Sequence, residues 1–286
     1  YGAVASMLKQ SYLPYELIIV DQSKEDDSHK RVKNLFSHTK TKIKLLYVHD
    51  SEIDGLVSAK NHGVKISSGD IICFLEDDET LDIDYFKKIN KIFKENQFIM
   101  GCSGVVSNIR RNIVYVYAFN FFHQGLFSDN RVDAVKYLDK GLDILIQSNH
   151  ISGGLSSYRK EVFQYIKYDL KNNFFYCEDI DFSIRASNFF GKEKFVISSQ
   201  LHLQHHLSEV NRDSMLPRWT RKTREFILLY KKNSDSGYAL LSICWLMIGL
   251  FFEAVYSSIN RNDDFSDRLI FFLLHFSFFL KNFKKK

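Results

Sequence analysis

Three short apolar runs in the first 75 residues, separated by polar stretches of helical length, constrain this chain more than any other feature. They are Glu16–Asp21, Ile43–Val48 and Asp70–Leu75, each rich in Ile, Leu and Val without strict alternation, the pattern of a strand covered on both faces. Between them lie a polar stretch through Asn34 and another from Gly55 to Ile66, each long enough for a helix. Residues 2–11 read as a helix ahead of the first run, so a further strand is expected before Tyr1. The alternation predicts an α/β domain with a Rossmann-like, mostly parallel sheet flanked by helices, whose ligands bind beyond the carboxyl ends of the strands.

Acidic residues stand at that edge. Asp21 closes the first run, and Glu76, Asp77, Asp78 and Glu79 follow the third. Adjacent carboxylates repel one another, which costs stability unless a cation or a set of donors neutralises them. A solvated acidic turn is the alternative, and the position at a strand end favours a site.

Farther on, strand-like segments are expected from Gln97 to about Tyr117, and residues 119–150 carry no clear pattern. Small residues from Ile151 to Arg159, including Gly153 and Gly154, are expected to open a helix at Lys160. A helix is predicted around Glu178, Asp179 and Asp181, whose charges complement its N-terminal dipole. His202, His205 and His206 follow, then a basic helix from Arg218 to Lys232 with Arg218, Arg221 and Arg224 at helical spacing.

Composition excludes some classes. The 39 Lys and Arg exceed the 34 Asp and Glu by only five, too weak a bias to imply a nucleic-acid partner without a clustered basic face. The four cysteines, at 73, 102, 177 and 244, form no CxxC pair, so neither a zinc site nor a disulfide framework is indicated and a reducing compartment is expected. The C-terminal residues change character: Ser236–Phe252 is uncharged, and Leu269–Leu280 is almost solidly Phe and Leu before Lys281 and Lys284–Lys286. The first run is at the lower limit of a span, roughly 17 residues, and the second is too short. Two apolar helices lying on a membrane or forming a shallow hairpin, with the lysines on anionic head groups, are therefore expected. The division expected is a catalytic domain over 1–232 and a membrane-associating helical region over 233–286.

Taken in order, the segments Leu8–Ser23, Gly55–Gly63 and Gly69–Asp78, the pair Gly153–Gly154 and the run Glu178–Asp181 resemble the family 2 glycosyltransferases. These are inverting enzymes of the GT-A fold, and the likeness leans towards rhamnosyl- and galactosyltransferases. It runs from the first residues to about 230 and implies that the strand before Tyr1 holds part of the nucleotide site. It implies a nucleotide-diphosphate sugar as donor, a glycan or lipid-linked acceptor, and Mg²⁺ or Mn²⁺ as cofactor, in cell-surface polysaccharide synthesis at the cytoplasmic face of the membrane.

The resemblance also implies roles for individual residues. Glu76, Asp77 and Asp78 occupy the place of the family's DXD motif, with Glu76 replacing the first Asp, Glu76 and Asp77 expected at the nucleotide sugar and Asp78 as the direct metal ligand. A hard divalent cation held by carboxylates stabilises a departing diphosphate. Asp179 stands where the family has its general base and Glu178 beside it as a supporting acid, because the acceptor hydroxyl must lose its proton as it attacks. One imidazole among His202, His205 and His206 is expected to complete the metal site, His205 first and His206 second. Asp21, Ser23 and Lys60 are expected at the nucleotide, and Gly153 and Gly154 along the donor sugar, where missing side chains allow close approach. The arginines of the basic helix would meet phosphate on a lipid-linked acceptor or form a solvated stripe. Two other functions fit the same fold: a sugar nucleotidyltransferase, which lacks support from any glycine-rich phosphate loop, and a non-catalytic membrane-bound partner in a polysaccharide assembly complex.

Overall fold

The computed structural model describes residues 2–25, 27–109, 112–206, 215–233 and 238–260, with side chains in the last two stretches described for 220–233 and 238–252. By contact the chain divides into two compact units, Tyr1–Arg110 with Asn130–Leu207, and Arg111–Asp129 with Ser208–Lys286. The second unit takes in a segment from the middle of the chain.

The first unit opens with helix α1 (Gly2–Leu8), then alternates β1 (Glu16–Asp21), α2 (Asp27–His38), β2 (Lys44–His49), α3 (Leu56–Ile66) and β3 (Ile71–Leu75). Strands β1 and β2 are parallel, in register from Glu16 opposite Lys44 to Asp21 opposite His49. After β4 (Glu79–Leu81), α4 (Tyr85–Glu95) and β5 (Gly101–Val106) come α6 (Arg131–Asp139), β6 (Leu145–Gln147), β7 (Leu155–Arg159), α7 (Val162–Tyr165), α8 (Glu178–Phe190) and β8 (Phe195–His205), with α5 (Ile113–Phe122) in the other unit. The larger sheet has the order β3-β7-β5-β8-β4, with β6 also on β8. Pairing in it is mixed: β5 and β8 run parallel, whereas β7 is antiparallel to β3 and β5, and β4 and β6 are antiparallel to β8.

Apolar clusters cover both faces of this sheet. On one lie Met7 of α1 and Tyr85, Phe86, Ile89, Ile92 and Phe93 of α4, whose outward positions are Lys87, Lys91 and Lys94. On the other lie Val57 of α3, Tyr158, Phe163 and Tyr168, and Phe182 of α8. Helix α8 is therefore fixed by aromatic packing: the Phe182 ring stacks on Tyr168 at 4.4 Å and meets Tyr158 and Phe163 edge-on or stacked at 5.2 and 5.3 Å.

Two local expectations change. Ile113–Phe122 is a helix, α5, not a strand, although its residues are β-branched and aromatic; Asn112 caps it by accepting from the Val114 amide. Tertiary packing overrides propensity here, because in the second unit Phe122 stacks on Phe252 and meets Trp245 at a tilt, both on α10 (Ala239–Asn260). Ile151–Arg159 does not open a helix: Leu155–Arg159 is the interior strand β7, between β3 and β5, and only the single turn of α7 follows. The basic helix forms as α9 (Met215–Lys232), and Phe226 on it packs against Phe127. Among the described residues, which include all four cysteines, there is no disulfide. Among the described residues no helix is long and apolar enough to cross a membrane, and the run Leu269–Leu280 and the terminal lysines lie outside them.

Replacing Phe182 by Ala should cost about 3–5 kcal/mol in urea unfolding, since it empties the centre of a four-ring cluster. A loss below about 1 kcal/mol would mean that α8 is held by something other than this packing.

Candidate active site

The acidic run after β3 acquires its geometry from the antiparallel pairing of β4 with β8. That register sets Glu79 opposite His205, and the His206 amide donates to the Asp78 carbonyl at 2.8 Å. The His205 ring then lies with Nε2 3.0 Å from Asp78 Oδ1 and 3.7 Å from Glu76 Oε2. Asn108 fixes this end of β8 by donating to the His205 carbonyl at 3.0 Å and accepting from its amide at 2.9 Å. One ligand atom each from Glu76, Asp78 and His205 all lie within 4.8 Å of one another. Neighbouring ligands around an octahedral ion at about 2.1 Å sit about 3 Å apart, so two carboxylates and an imidazole at this spacing fit a divalent cation.

Other members of the run and of the histidine cluster point elsewhere. Asp77 is exposed and outside this group. The His206 ring is 2.9 Å from Thr80 Oγ1, and His202 faces Asp82 at 3.9 Å, so neither joins it. His202 and His205 stand three residues apart on β8, so strand alternation turns their rings to opposite sides, and His206 follows the end of the strand. Glu79 is buried, and its Oε2 accepts from the Glu76 amide at 2.9 Å. Burial pushes its carboxyl up to about 9, with the Glu76 and Asp78 charges adding to the rise. Removal from water also raises Glu76, against the pull of His205 and Lys60. The repulsion in the four-acid run is thus relieved by a proton on Glu79.

A second cluster forms at the N-terminus of α8. Lys60 on α3 donates to Glu178 Oε1 at 3.0 Å and to the Gly153 carbonyl at 3.1 Å, and its ammonium lies 5.5 and 5.2 Å from the centres of the Phe74 and Tyr168 rings. Burial pushes the Glu178 carboxyl up to about 7, with Lys60 opposing and Asp179 reinforcing. Asp179 Oδ2 accepts from Arg131 Nη1 at 3.0 Å and from the Gly153 amide at 3.1 Å. Lys60, only 10% exposed, is committed to this cluster and ties α3 to the acids of α8.

Gly153 and Gly154 separate the two clusters. A Cβ on Gly153 would stand 2.5 Å from Glu178 Oε1, and one on Gly154 2.5 Å from Glu76 Oε1. Side chains are excluded on both sides, so the candidate metal ligands and the α8 acids approach one another across a single turn of backbone.

Asp21 and Ser23 are tied to β2 and the loop after β1. Tyr47 donates to Asp21 Oδ2, the Ser23 amide donates to Oδ1 at 2.9 Å, and the Ser23 hydroxyl donates to the Glu25 carbonyl at 2.8 Å. Burial would raise the Asp21 carboxyl, but the bonds from Tyr47 and Ser23 outweigh it and hold the group below its usual value. The adjoining turn is braced by Gln22, which donates to the Gly55 carbonyl at 3.1 Å. Arg221 and Arg224 are exposed on α9, with Arg221 Nε 3.4 Å from Glu225 Oε1; the Arg218 side chain lies outside the described residues.

A profile described as Glycosyl transferase family 2 matches residues 1–167, more than half of the 286. The chain belongs to that family. Over 128 residues it is 29% identical to an uncharacterized glycosyltransferase of Rickettsia felis, a match covering 45% of this chain and 20% of that one. Over 109 residues it is 28% identical to the UDP-Glc:alpha-D-GlcNAc-diphosphoundecaprenol beta-1,3-glucosyltransferase WfgD of Escherichia coli, covering 37% of this chain and 41% of the other. The matched part spans less than half the length of either relative. Among solved structures, the mannosyltransferase PcManGT of Pyrobaculum calidifontis, in complex with GDP-Man and Mn2+, aligns with a TM-score of 0.59 at 12% identity, covering 93% of this chain and 72% of that one. At that identity the likeness establishes the fold, which is GT-A.

Within the family 2 frame, three residues around the site, Asn108, Tyr47 and Arg131, carried no signal in the sequence, whereas Glu79 was visible there as part of the acidic run. Asn108, Tyr47 and Glu79 hold other site residues, and Arg131 contacts Asp179 from the stretch that carried no pattern. Arg131 had no local signal, since one arginine at the start of a short helix is commonplace.

The Glu79 proton has a measurable consequence. Between 4.5, its ordinary value, and about 9 the native state holds a proton that the unfolded chain has lost, so stability falls as pH rises through that window. Glu79→Gln keeps an acceptor for the Glu76 amide and has no proton to lose. Its Tm relative to wild type, measured in EDTA, should rise between about pH 5 and about pH 8; a constant gap would mean that Glu79 is ionised in the native protein.

Proposed function

We propose that this chain is an inverting hexosyltransferase that moves a sugar from a nucleotide-diphosphate donor to a hydroxyl of a glycan or lipid-linked acceptor in cell-surface polysaccharide synthesis. The observation that carries the reading is the placement of two acidic clusters on either side of Gly153–Gly154, one suited to a diphosphate's cation and one to a hydroxyl's proton. In this reading Asp179 takes the proton as the acceptor oxygen attacks the anomeric carbon from the face opposite the diphosphate. Glu178, held by Lys60, supports the acceptor side, and the glycine turn lets the sugar lie against backbone. Asp78, His205 and Glu76 would hold Mg²⁺ or Mn²⁺; bound there, such a cation offsets the charge that builds on the departing diphosphate. In this reading Asp21 and Ser23, at the first strand end, serve the nucleoside, and Asp77, exposed beside Asp78, serves the nucleotide sugar.

The test is a thermal-shift screen of UDP-glucose, UDP-N-acetylglucosamine and GDP-mannose with and without Mn²⁺, followed by turnover. A true donor at a hundred times its Kd stabilises the fold by about 2.7 kcal/mol. Asp179→Asn should keep donor binding and lose about 100- to 10,000-fold in turnover, whereas His205→Ala should abolish the Mn²⁺ dependence of donor binding. Wild-type turnover by Asp179→Asn would remove the base assignment.

The reading includes contact with the cytoplasmic face of a membrane. In its support, α5 exposes Ile113, Val114, Tyr117 and Phe121, and α10 exposes Leu241, Trp245, Ile248 and Phe252, each set at helical spacing. The Trp245 indole donates to the Phe121 carbonyl at 2.6 Å, so the two helices lie side by side within one unit. Their apolar, aromatic face and the exposed Arg221, Lys222, Arg224, Lys231 and Lys232 of α9 suit an anionic bilayer surface. Vesicles containing phosphatidylglycerol should sediment the protein and pure phosphatidylcholine vesicles much less. Tyr117→Glu with Leu241→Glu should weaken the binding about tenfold or more; unchanged binding by that double variant would exclude this face.

A further inference from the structure

A carboxylate offers four lone-pair positions, two on each oxygen. On Asp179, Oδ2 accepts from Arg131 Nη1 at 3.0 Å and from the Gly153 amide at 3.1 Å, and Oδ1 accepts from the Ile180 amide at 2.7 Å. These donors come from α6, the glycine turn and α8 itself, so the carboxylate is pinned from three directions. One position remains, on Oδ1. The Arg131 contact is a charge-assisted bond to a side chain only 13% exposed, where such a bond is stronger than in water. Lys60, the other cation of the cluster, is spent on Glu178.

We propose that Arg131 is the positioning residue for Asp179, holding its carboxylate so that the open lone pair of Oδ1 receives the proton of the acceptor hydroxyl. This rests on the reading of Asp179 as the base. In the step, the acceptor O–H bond breaks and its proton passes to Oδ1 while the oxygen forms a bond to the anomeric carbon. The bond from that carbon to the diphosphate oxygen breaks, and its electron pair leaves with the nucleotide diphosphate. The guanidinium gives up no proton; it keeps Oδ2 occupied, so that the carboxylate does not rotate and present that oxygen instead. Lys does not reproduce this geometry, because an ammonium is a point charge without a planar fork.

A double-mutant cycle tests the proposal. Release of UDP or GDP is followed with UDP-glucose, UDP-N-acetylglucosamine or GDP-mannose, Mn²⁺ present and water as acceptor. Arg131→Met should lower kcat about 10- to 100-fold with donor KM changed by less than about threefold, and Arg131→Lys should recover part of the loss. In an Asp179→Ala background, adding Arg131→Met should cost nothing further, because Arg131 acts through Asp179. Equal losses in both backgrounds, or a wild-type rate for Arg131→Met beside an inactive Asp179→Ala, would overturn the proposal. Wild-type turnover by Asp179→Ala itself would instead sink the base assignment on which it rests. The same cycle read on Tm, without substrate, checks the ion pair for every outcome of the donor screen: Arg131→Met should lower Tm in the wild-type background and leave it unchanged beside Asp179→Ala, and additive losses would overturn it.

Discussion

The structure turns on a place where side chains are excluded. Gly153 and Gly154 pass between Glu76 on one side and Glu178 with Asp179 on the other, with a hypothetical Cβ falling 2.5 Å from a carboxylate oxygen in each direction. Any other residue at either position would push the clusters apart. The turn also supplies polar groups of its own, since the Gly153 amide holds Asp179 and its carbonyl holds Lys60. Backbone here acts as a partition and as a ligand, and the strand leading out of it inherits the constraint: β7 is an interior strand, paired on both edges, between β3 and β5.

So many acids within one small volume need compensation, and three means are visible. Lys60 neutralises Glu178 and rests on two aromatic rings, Arg131 neutralises Asp179, and Glu79 keeps its proton. Glu76 and Asp78 have an imidazole as their close partner, which a divalent cation can share. The charges on the α8 side are balanced by the protein, whereas those of Glu76 and Asp78 suit a balance brought by a ligand.

The second unit follows a different logic. Helix α5 is apolar on every side and buries none of its residues fully, and its neighbour α10 shows a similar outward stripe. Helices with this character need another apolar surface to lie against. The loop sequence that carries α5 is inserted between β5 and α6, so the stretch from 111 to 129 belongs with residues more than eighty positions farther along the chain.

The sequence by itself determined the α/β alternation of the first 75 residues, the strand-end position of its acids, and the helix that begins at Glu178, because each depends on local patterns of apolar spacing and dipole complementarity. It also narrowed the imidazole to three candidates. Only the tertiary structure put the His205 ring beside Asp78 and the His206 ring beside Thr80, a matter of the register of β8 with β4. Only it turned the β-branched, aromatic 113–122 into a helix, by packing it on α10. Arg131 lay wholly beyond sequence reading, 48 positions from the carboxylate it holds: long-range ion pairs leave no periodicity, and nothing in the chain near Arg131 reports what the fold will bring beside it.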